Sequence, residues 1–399
     1  MTDRPPHAPV QAPLQQLPAG LGAAADYARL AQRFIAEPLL AHLDGGAGHD
    51  RSAAANLAAF GRWQVMPRLL RDLRHGHTRC RPAGLDLPHP LLLAAVARLG
   101  EYHPQAERAV AQAAAATDTV QVLSTLSSLT LEEVAAAAPA APRWFQLYLQ
   151  PRREATQDLL RRAAAAGYRA VVLTLDAPVQ SPSLRALRAG YRAPAAPAPN
   201  LLPYAAGDAA LPTPPLGPGD SRVFQGALRH APRSEDLDWL LADSPLPVWI
   251  KGVLHPDDAR ALATRGVAGL VVSNHGGRSL DGAPASLDCL AAVRAAVGPQ
   301  LPLLFDGGIR GGDDVFKALA LGASAVMVGR LQAHALAVAG ALGVAHMLKL
   351  LREELELTMA LAGCATLADI GPHCLVAAPA PIAPPPSALA PGPDERPPC

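Results

Sequence analysis

The chain has 399 residues, half of them apolar, and its 35 Lys and Arg nearly cancel its 34 Asp and Glu to leave a net charge of +1. That balance provides no long-range field for nucleic acid or an anionic membrane, so a small molecule is the expected partner. The five cysteines, Cys80, Cys289, Cys364, Cys374 and Cys399, are odd in number and show neither CxxC nor Cys/His ligand spacing. They read as reduced thiols of a cytoplasmic protein, with no disulfide framework and no metal site.

The opening MTDRPPHAPVQAPLQQLPAG lacks the apolar run of a secretory signal. Its Pro content reads as a disordered stretch over 1–20, followed by one domain over 21–376 with a helical N-terminal extension. Apolar, β-rich runs then recur at Pro90–Val96, Thr119–Ser124, Arg143–Leu149, Ala170–Leu175, Pro247–Val253, Gly269–Ser273, Leu301–Phe305 and Ala325–Val328. Between them lie amphipathic segments such as Arg152–Ala166, Pro256–Arg265, Leu287–Val297 and Gly312–Leu321, with Pro or Asp at the entry and Gly at the exit. Eight strands alternating with helices predict a (β/α)8 barrel of the TIM type. An open doubly wound sheet has the same alternation, but no GxGxxG follows an early strand. The Pro- and Ala-rich segment Arg192–Asp220 reads as an irregular loop inside the domain, and 377–399 as a disordered tail. Leu331–Leu351 is the most membrane-like stretch, but His334, His346 and Lys349 interrupt it, which favours a packed barrel helix.

Chemistry-bearing side chains gather just beyond strand ends, and in a barrel these face one mouth, where such folds place their sites. Ser124 ends the second strand; Gln146 and Tyr148 lie on the third; Thr174 and Asp176 end the fourth; Lys251 ends the fifth. Ser273, Asn274, His275 and Arg278 follow the sixth, Asp306, Gly307, Gly308 and Arg310 the seventh, and Gly329 and Arg330 the eighth. A lone His is most often a satisfied structural residue, and a lone Arg a solvated one; their joint position is the signal. Glycines followed by Arg310 and Arg330 after the last two strands suit a phosphate, held on backbone N–H groups and guanidinium forks. Read without any resemblance, Lys251 also suits a Schiff-base lysine of an aldolase-like barrel, which leaves His275, Arg278 and the glycine loops unexplained.

The runs VSNHGGRSLDGAPASL from Val272 and FDGGIRGGDDVFKALALGASAVMVGR from Phe305 resemble the FMN-dependent 2-hydroxy-acid oxidases and dehydrogenases, which include glycolate oxidase, flavin L-lactate dehydrogenase and mandelate dehydrogenase. RWFQLYLQPRRE, AGYRAVVLTLDAP, WIKGVLHPDDA and LREELELTMALAGCATLADI support the match, which spans roughly Ala31 to Ile370. The resemblance implies oxidation of an L-2-hydroxy acid to the 2-oxo acid, with FMN as cofactor, often in a homo-oligomer, a tetramer. It implies His275 as base, Asp176 as its partner, Arg278 and Tyr148 on the substrate, and Lys251 at the flavin N1/C2 edge. It places Ala95, Val96, Ala97, Ser124, Gln146, Thr174 and Ser273 around the isoalloxazine, and Asp306 on the ribityl chain. Gly307, Gly308, Arg310, Gly329 and Arg330 would hold the phosphate end.

The chain departs from the family's pattern in the flavin-contacting PTA segment, which reads Ala95, Val96, Ala97 here, and at three positions of the substrate pocket. His42 stands where a carboxylate-binding tyrosine is expected, Leu126 where a tryptophan is, and Ser183 where the second carboxylate-binding arginine is. A hydrogen bond to a charged group contributes about 1.5–3 kcal/mol, so losing one without replacement weakens carboxylate binding by about one to two orders of magnitude. On that ground small 2-hydroxy acids are expected to bind less well than larger ones, whose extra methylenes compensate. The same three changes also support a second reading, a catalytically attenuated FMN-binding relative with a binding or regulatory role.

Overall fold

The computed structural model describes residues 10–205 and 215–379; the expectations for 1–9, for 206–214 of the irregular loop and for 380–399 of the tail lie outside the described residues. Eight parallel strands close into a barrel: β1 (Leu91–Leu93), β2 (Val120–Ser124), β3 (Arg143–Leu147), β4 (Val171–Thr174), β5 (Val248–Val253), β6 (Gly269–Val272), β7 (Leu303–Asp306) and β8 (Ala325–Val328). Each pairs with the next in the chain, and β1 pairs with β8. The eight runs read from the sequence are these strands, because a parallel strand covered on both faces must be apolar nearly throughout.

Side chains alternate across each strand, and the alternation sorts them into two cores. Leu92, Val120, Val122, Trp144, Val172, Trp249, Val271, Leu304, Ala325 and Met327 form one cluster inside the barrel. Leu91, Leu93, Leu123, Phe145, Leu173, Ile250, Leu270, Phe305, Val326 and Val328 face outward into the shell of helices. Trp144 and Trp249 meet within the barrel, ring centroids 5.1 Å apart. Trp249 is paired across the sheet with Gly269, where a Cβ would stand 2.2 Å from the indole. A glycine is the only residue that leaves this space.

Helices Asp26–Ala31, Glu37–Asp44 and Arg51–Phe60 form the N-terminal extension. Residues 10–20 contain no helix or strand, yet they are tied down: the Val10 and Leu14 amides donate to Phe34 and Val338 carbonyls, and Leu14 and Leu17 pack on the core. The prolines there preclude regular structure, but the two leucines still find apolar surface. Helix Arg330–Ala362 is long and apolar enough to cross a membrane by length and composition, but most of it is buried inside the protein. It kinks at Ala339 and Gly340, where a Cβ on Gly340 would meet the His103 ring at 2.9 Å. In the described part of the irregular loop, Asn200 is fully buried; its amide donates to Ser127 Oγ, and it accepts from the Leu131 amide. At the far end of the barrel, Trp63–Val65 and Leu375–Ala377 pair as two antiparallel strands.

Gly269→Ala is expected to cost about 1–3 kcal/mol through overpacking against Trp249, lowering the melting temperature by several degrees. Gly22→Ala, where the added methyl meets nothing within 4 Å, is the matched control and should leave the melt unchanged.

Candidate active site

The inward row of six of the eight strands, β2 to β7, ends in a polar residue at the C-terminal mouth. Val122 is followed by Ser124, Trp144 by Gln146, Val172 by Thr174, Trp249 by Lys251, Val271 by Ser273 and Leu304 by Asp306. The barrel is therefore an apolar plug with a polar rim. Ser124 Oγ donates to Gln146 Oε1 at 3.2 Å, and Gln146 Nε2 donates to Thr174 Oγ1 at 3.1 Å, which fixes the amide's orientation. Across the rim, Lys251 Nζ donates to Ser273 Oγ at 2.8 Å and lies 3.0 Å from Asp306 Oδ2, which also accepts from Ser273 Oγ. Burial alone would discharge this lysine, but the carboxylates of Asp306 and Asp176 more than offset that and raise its pKa. Lys251 is a fixed cation, which removes the basis for a Schiff-base role.

The loop after β6 carries Asn274, His275, Gly276, Gly277 and Arg278. Asn274 Oδ1 accepts from the Gly277 amide, while Asn274 and Asn56 exchange two side-chain hydrogen bonds that anchor the loop to helix Arg51–Phe60. His275 adopts φ 60°, a region costly for a residue with a side chain, and Gly276 and Gly277 follow with φ 62° and 76°. A Cβ on Gly277 would lie 2.4 Å from the Ala53 amide nitrogen. His275 Nδ1 is 2.8 Å from Asp176 Oδ1, and the ring faces the cleft. Burial pushes the Asp176 carboxyl up, but the Lys251 charge together with the hydrogen bond and charge of His275 hold it below the ordinary carboxylate value. Gly252 makes this placement sterically accessible: a Cβ there would be 2.4 Å from the Asp176 Cβ. Tyr148 lines the same cleft, and burial raises its pKa and keeps the phenol protonated.

The cleft holds about 420 Å³, within the size range of small-molecule sites. At one end lie Gly307, Gly308, Gly329, Arg310 and Arg330. Arg330 donates to the carbonyls of Leu43, Gly276 and Gly45. Burial, with the charges of Arg278 and Arg310 beside it, depresses its pKa to about 10. Burial likewise lowers that of Arg310. Among the described residues no carboxylate lies within ion-pair distance of either guanidinium, so this end of the cleft is a desolvated cationic surface suited to an anion. Ala94, Ala95, Val96, Ala97 and Met327 supply apolar lining, and Ser124, Gln146, Thr174 and Lys251 a hydrogen-bonding rim. Cationic end, apolar floor and polar rim together fit FMN, whose phosphate, flat ring and polar ring edge need those three surroundings.

The residues assigned from the sequence lie around this cleft, with two exceptions. Ser273 is fully buried behind the wall, where it holds Lys251 and Asp306 and accepts from the His275 amide at 3.0 Å, so it does not reach the cofactor space. Asp176 acts on the cleft only through His275. Ser183 is also outside, as the N-cap of helix Leu184–Arg188, and Arg185 pairs with Asp50 at 2.8 Å. Leu126 lines the cleft, as does His42, whose ring stacks on Tyr191 (centroids 4.0 Å apart, 9° between planes) and lies 3.3 Å from Arg278 Nη2. Arg278 also donates to the His42 and Gly45 carbonyls.

Sequence reasoning missed Tyr102 and Tyr191. Tyr102 is only 5 % exposed and borders the cleft near Arg278; among the described residues its hydroxyl has no hydrogen bond. Its position in the loop after β1, at the active mouth, was the available signal. Tyr191 follows a short helix and donates to Glu101, with no sequence pattern pointing inward.

Residues 31–377 match the sequence profile of the FMN-dependent dehydrogenases. The chain is 62 % identical to an L-lactate oxidase of Alicycliphilus denitrificans, over 90 % of this chain and 97 % of that protein. It is 48 % identical to an L-lactate oxidase of a Roseobacter species (86 % and 91 % covered) and 37 % identical to glycolate oxidase 3 of Oryza sativa subsp. indica (86 % and 93 %). A crystallised mandelate oxidase variant with (S)-mandelic acid superposes with a TM-score of 0.78 at 38 % identity, covering 90 % of this chain and 98 % of that one. Another mandelate oxidase structure, with a C4a-OH-FMN adduct, superposes with a TM-score of 0.76 at the same identity, covering 88 % and 98 %.

Arg310→Ala should weaken FMN binding about ten- to a hundredfold, the worth of one charge-assisted hydrogen bond, and leave riboflavin affinity nearly unchanged. Flavin fluorescence titration of the apoprotein measures both. Equal losses for the two ligands would move Arg310 away from the phosphate.

Proposed function

Because this chain belongs to the FMN-dependent dehydrogenase family, we propose that it oxidises a short L-2-hydroxy acid, L-lactate first among candidates, to the 2-oxo acid. The observation that carries the proposal is the Asp176–His275 hydrogen bond at 2.8 Å at the edge of the cleft. The carboxylate engages Nδ1, so that nitrogen carries the proton and Nε2 presents its lone pair. Nε2 has no hydrogen bond among the described residues, and it is the atom we assign to take the substrate proton. As the imidazole becomes charged, the ionised Asp176 stabilises it electrostatically.

FMN, when bound, supplies the two-electron acceptor. Lys251 places a permanent positive charge at the rim, where it stabilises negative charge that develops on reduction. Gln146 and Thr174 orient the polar edge of the ring through their fixed hydrogen bond, and Arg310 and Arg330 hold the phosphate. Tyr148, protonated at neutral pH, donates to the reacting oxygen.

Arg278 is the cation for the substrate carboxylate. With Ser183 outside the cleft, we assign the second carboxylate contact to the Tyr102 hydroxyl, which borders the cleft beside Arg278 with its donor unspent. Tyr102 and the His42–Tyr191 stack line the cleft beside Arg278, and these rings leave less room there for a longer substrate chain. This reverses the preference for larger acids drawn from Ser183, His42 and Leu126, and two relatives named L-lactate oxidases agree with it. The attenuated reading has no structural feature in its favour, since the base and its partner are in register.

His275→Ala should retain FMN and slow its reduction by L-lactate roughly 10²–10⁴-fold in anaerobic stopped flow. Reduction at the parental rate would remove His275 from its role. Tyr102→Phe should raise the KM for L-lactate about tenfold with FMN affinity unchanged, the loss of one hydrogen bond to a charged group. An unaltered KM would return the second contact to another residue.

A further inference from the structure

Two thiols that do not line the cleft lie together near the C-terminal end of the described residues. Cys364 follows Gly363, the residue that ends helix Arg330–Ala362, and Cys374 precedes the C-terminal strand Leu375–Ala377. Their Sγ atoms are 3.7 Å apart, both side chains are buried, and both thiols approach the Asp369 carbonyl, at 3.5 and 3.6 Å. The short 3-10 turns Leu367–Asp369 and Pro372–Cys374 fold the intervening segment into a loop that brings its ends together. Cys80 and Cys289 have no thiol neighbour among the described residues.

We propose that Cys364 and Cys374 are a redox modification site, in which hydrogen peroxide converts the thiol pair into a disulfide that fastens the C-terminal strand to the end of the long helix. One thiolate attacks a peroxide oxygen, breaking the O–O bond to give a sulfenic acid and hydroxide. The second thiol attacks that sulfur, the S–S bond forms, and water leaves. Two thiols and one peroxide become one disulfide and two waters, so electrons and atoms balance. Closing from 3.7 Å to the about 2.05 Å of an S–S bond draws on a loop that carries no residue of the cleft.

Burial and the neighbouring thiol push the Cys364 pKa up to about 12, which makes Cys364 the weaker candidate for the attacking thiolate; Cys374 Sγ lies 3.4 Å from His373 Nε2. The strand that the bridge secures is tied to the barrel by its pairing with Trp63–Val65 and by the Met66 amide donating to the Cys374 carbonyl at 2.9 Å. The cross-link constrains the unfolded chain and stabilises this end.

The test treats the FMN-loaded enzyme with excess hydrogen peroxide, without substrate, so that its outcome is independent of the proposed substrate. Thiol titration after denaturation and peptide mass analysis without reductant are the readouts. The expected result is the loss of two titratable thiols, a Cys364–Cys374 linked peptide that dithiothreitol dissolves, and a melting temperature raised by about a few degrees. Cys374→Ser should abolish the linked peptide and the shift, and Cys289→Ser should preserve both. The linked peptide in the unsubstituted enzyme decides the matter even if Cys374→Ser fails to fold. Persistence of both thiols, their oxidation to sulfinic acids, or a link from either to another cysteine would overturn the proposal.

Discussion

The site depends on one buried electrostatic arrangement: two carboxylates, Asp176 and Asp306, share the charge of Lys251, which is itself almost wholly buried at the rim of the cleft. Each of the three would be costly to bury alone. Together they offset one another's burial, and each serves a different part of the cleft. Asp176 keeps the charge it needs to hold His275 on Nδ1, Lys251 remains a cation at the rim, and Asp306 with Ser273 fixes the lysine's direction. Discharging any member would release the other two.

Backbone geometry is arranged around this cluster. Gly252 admits Asp176 where a methyl group could not fit, and the three successive left-handed residues His275, Gly276 and Gly277 turn the imidazole toward the cleft. The strain at His275 is supported by the amide bond to Ser273 Oγ, the Asn274 cap and the reciprocal Asn56–Asn274 pair. Removing water from the cleft then strengthens every fixed charge that faces it. The same desolvation explains the depressed pKa of Arg330, whose cationic seat gains when an anion arrives.

Much of this was legible in the sequence. Both faces of a parallel barrel strand are covered, so eight apolar runs stood out. The step from apolar to polar at Ser124, Gln146, Thr174, Lys251 and Asp306 marked the mouth, because side-chain parity and the direction of the strands leave these residues no other location. What stayed hidden depends on contacts between distant segments. Ser273 shares the parity of its neighbours but is turned behind the wall by Lys251 and Asp306. Ser183 was readable as a missing arginine, not as the cap of a short helix. Tyr102 comes from one loop, and the His42–Tyr191 stack joins the N-terminal extension to another; no local pattern announces that these rings meet beside Arg278. The leucines of residues 10–20 also bind surface that only the finished barrel provides.

The central claim is that this cleft passes the electrons of a 2-hydroxy acid to bound FMN. The visible spectrum of the purified FMN-loaded protein, recorded without oxygen before and after addition of L-lactate and, separately, of D-lactate, tests it most directly. The account predicts a yellow protein that bleaches with L-lactate and keeps its colour with D-lactate. A yellow protein whose spectrum is unchanged by L-lactate and by every other 2-hydroxy acid offered would contradict it.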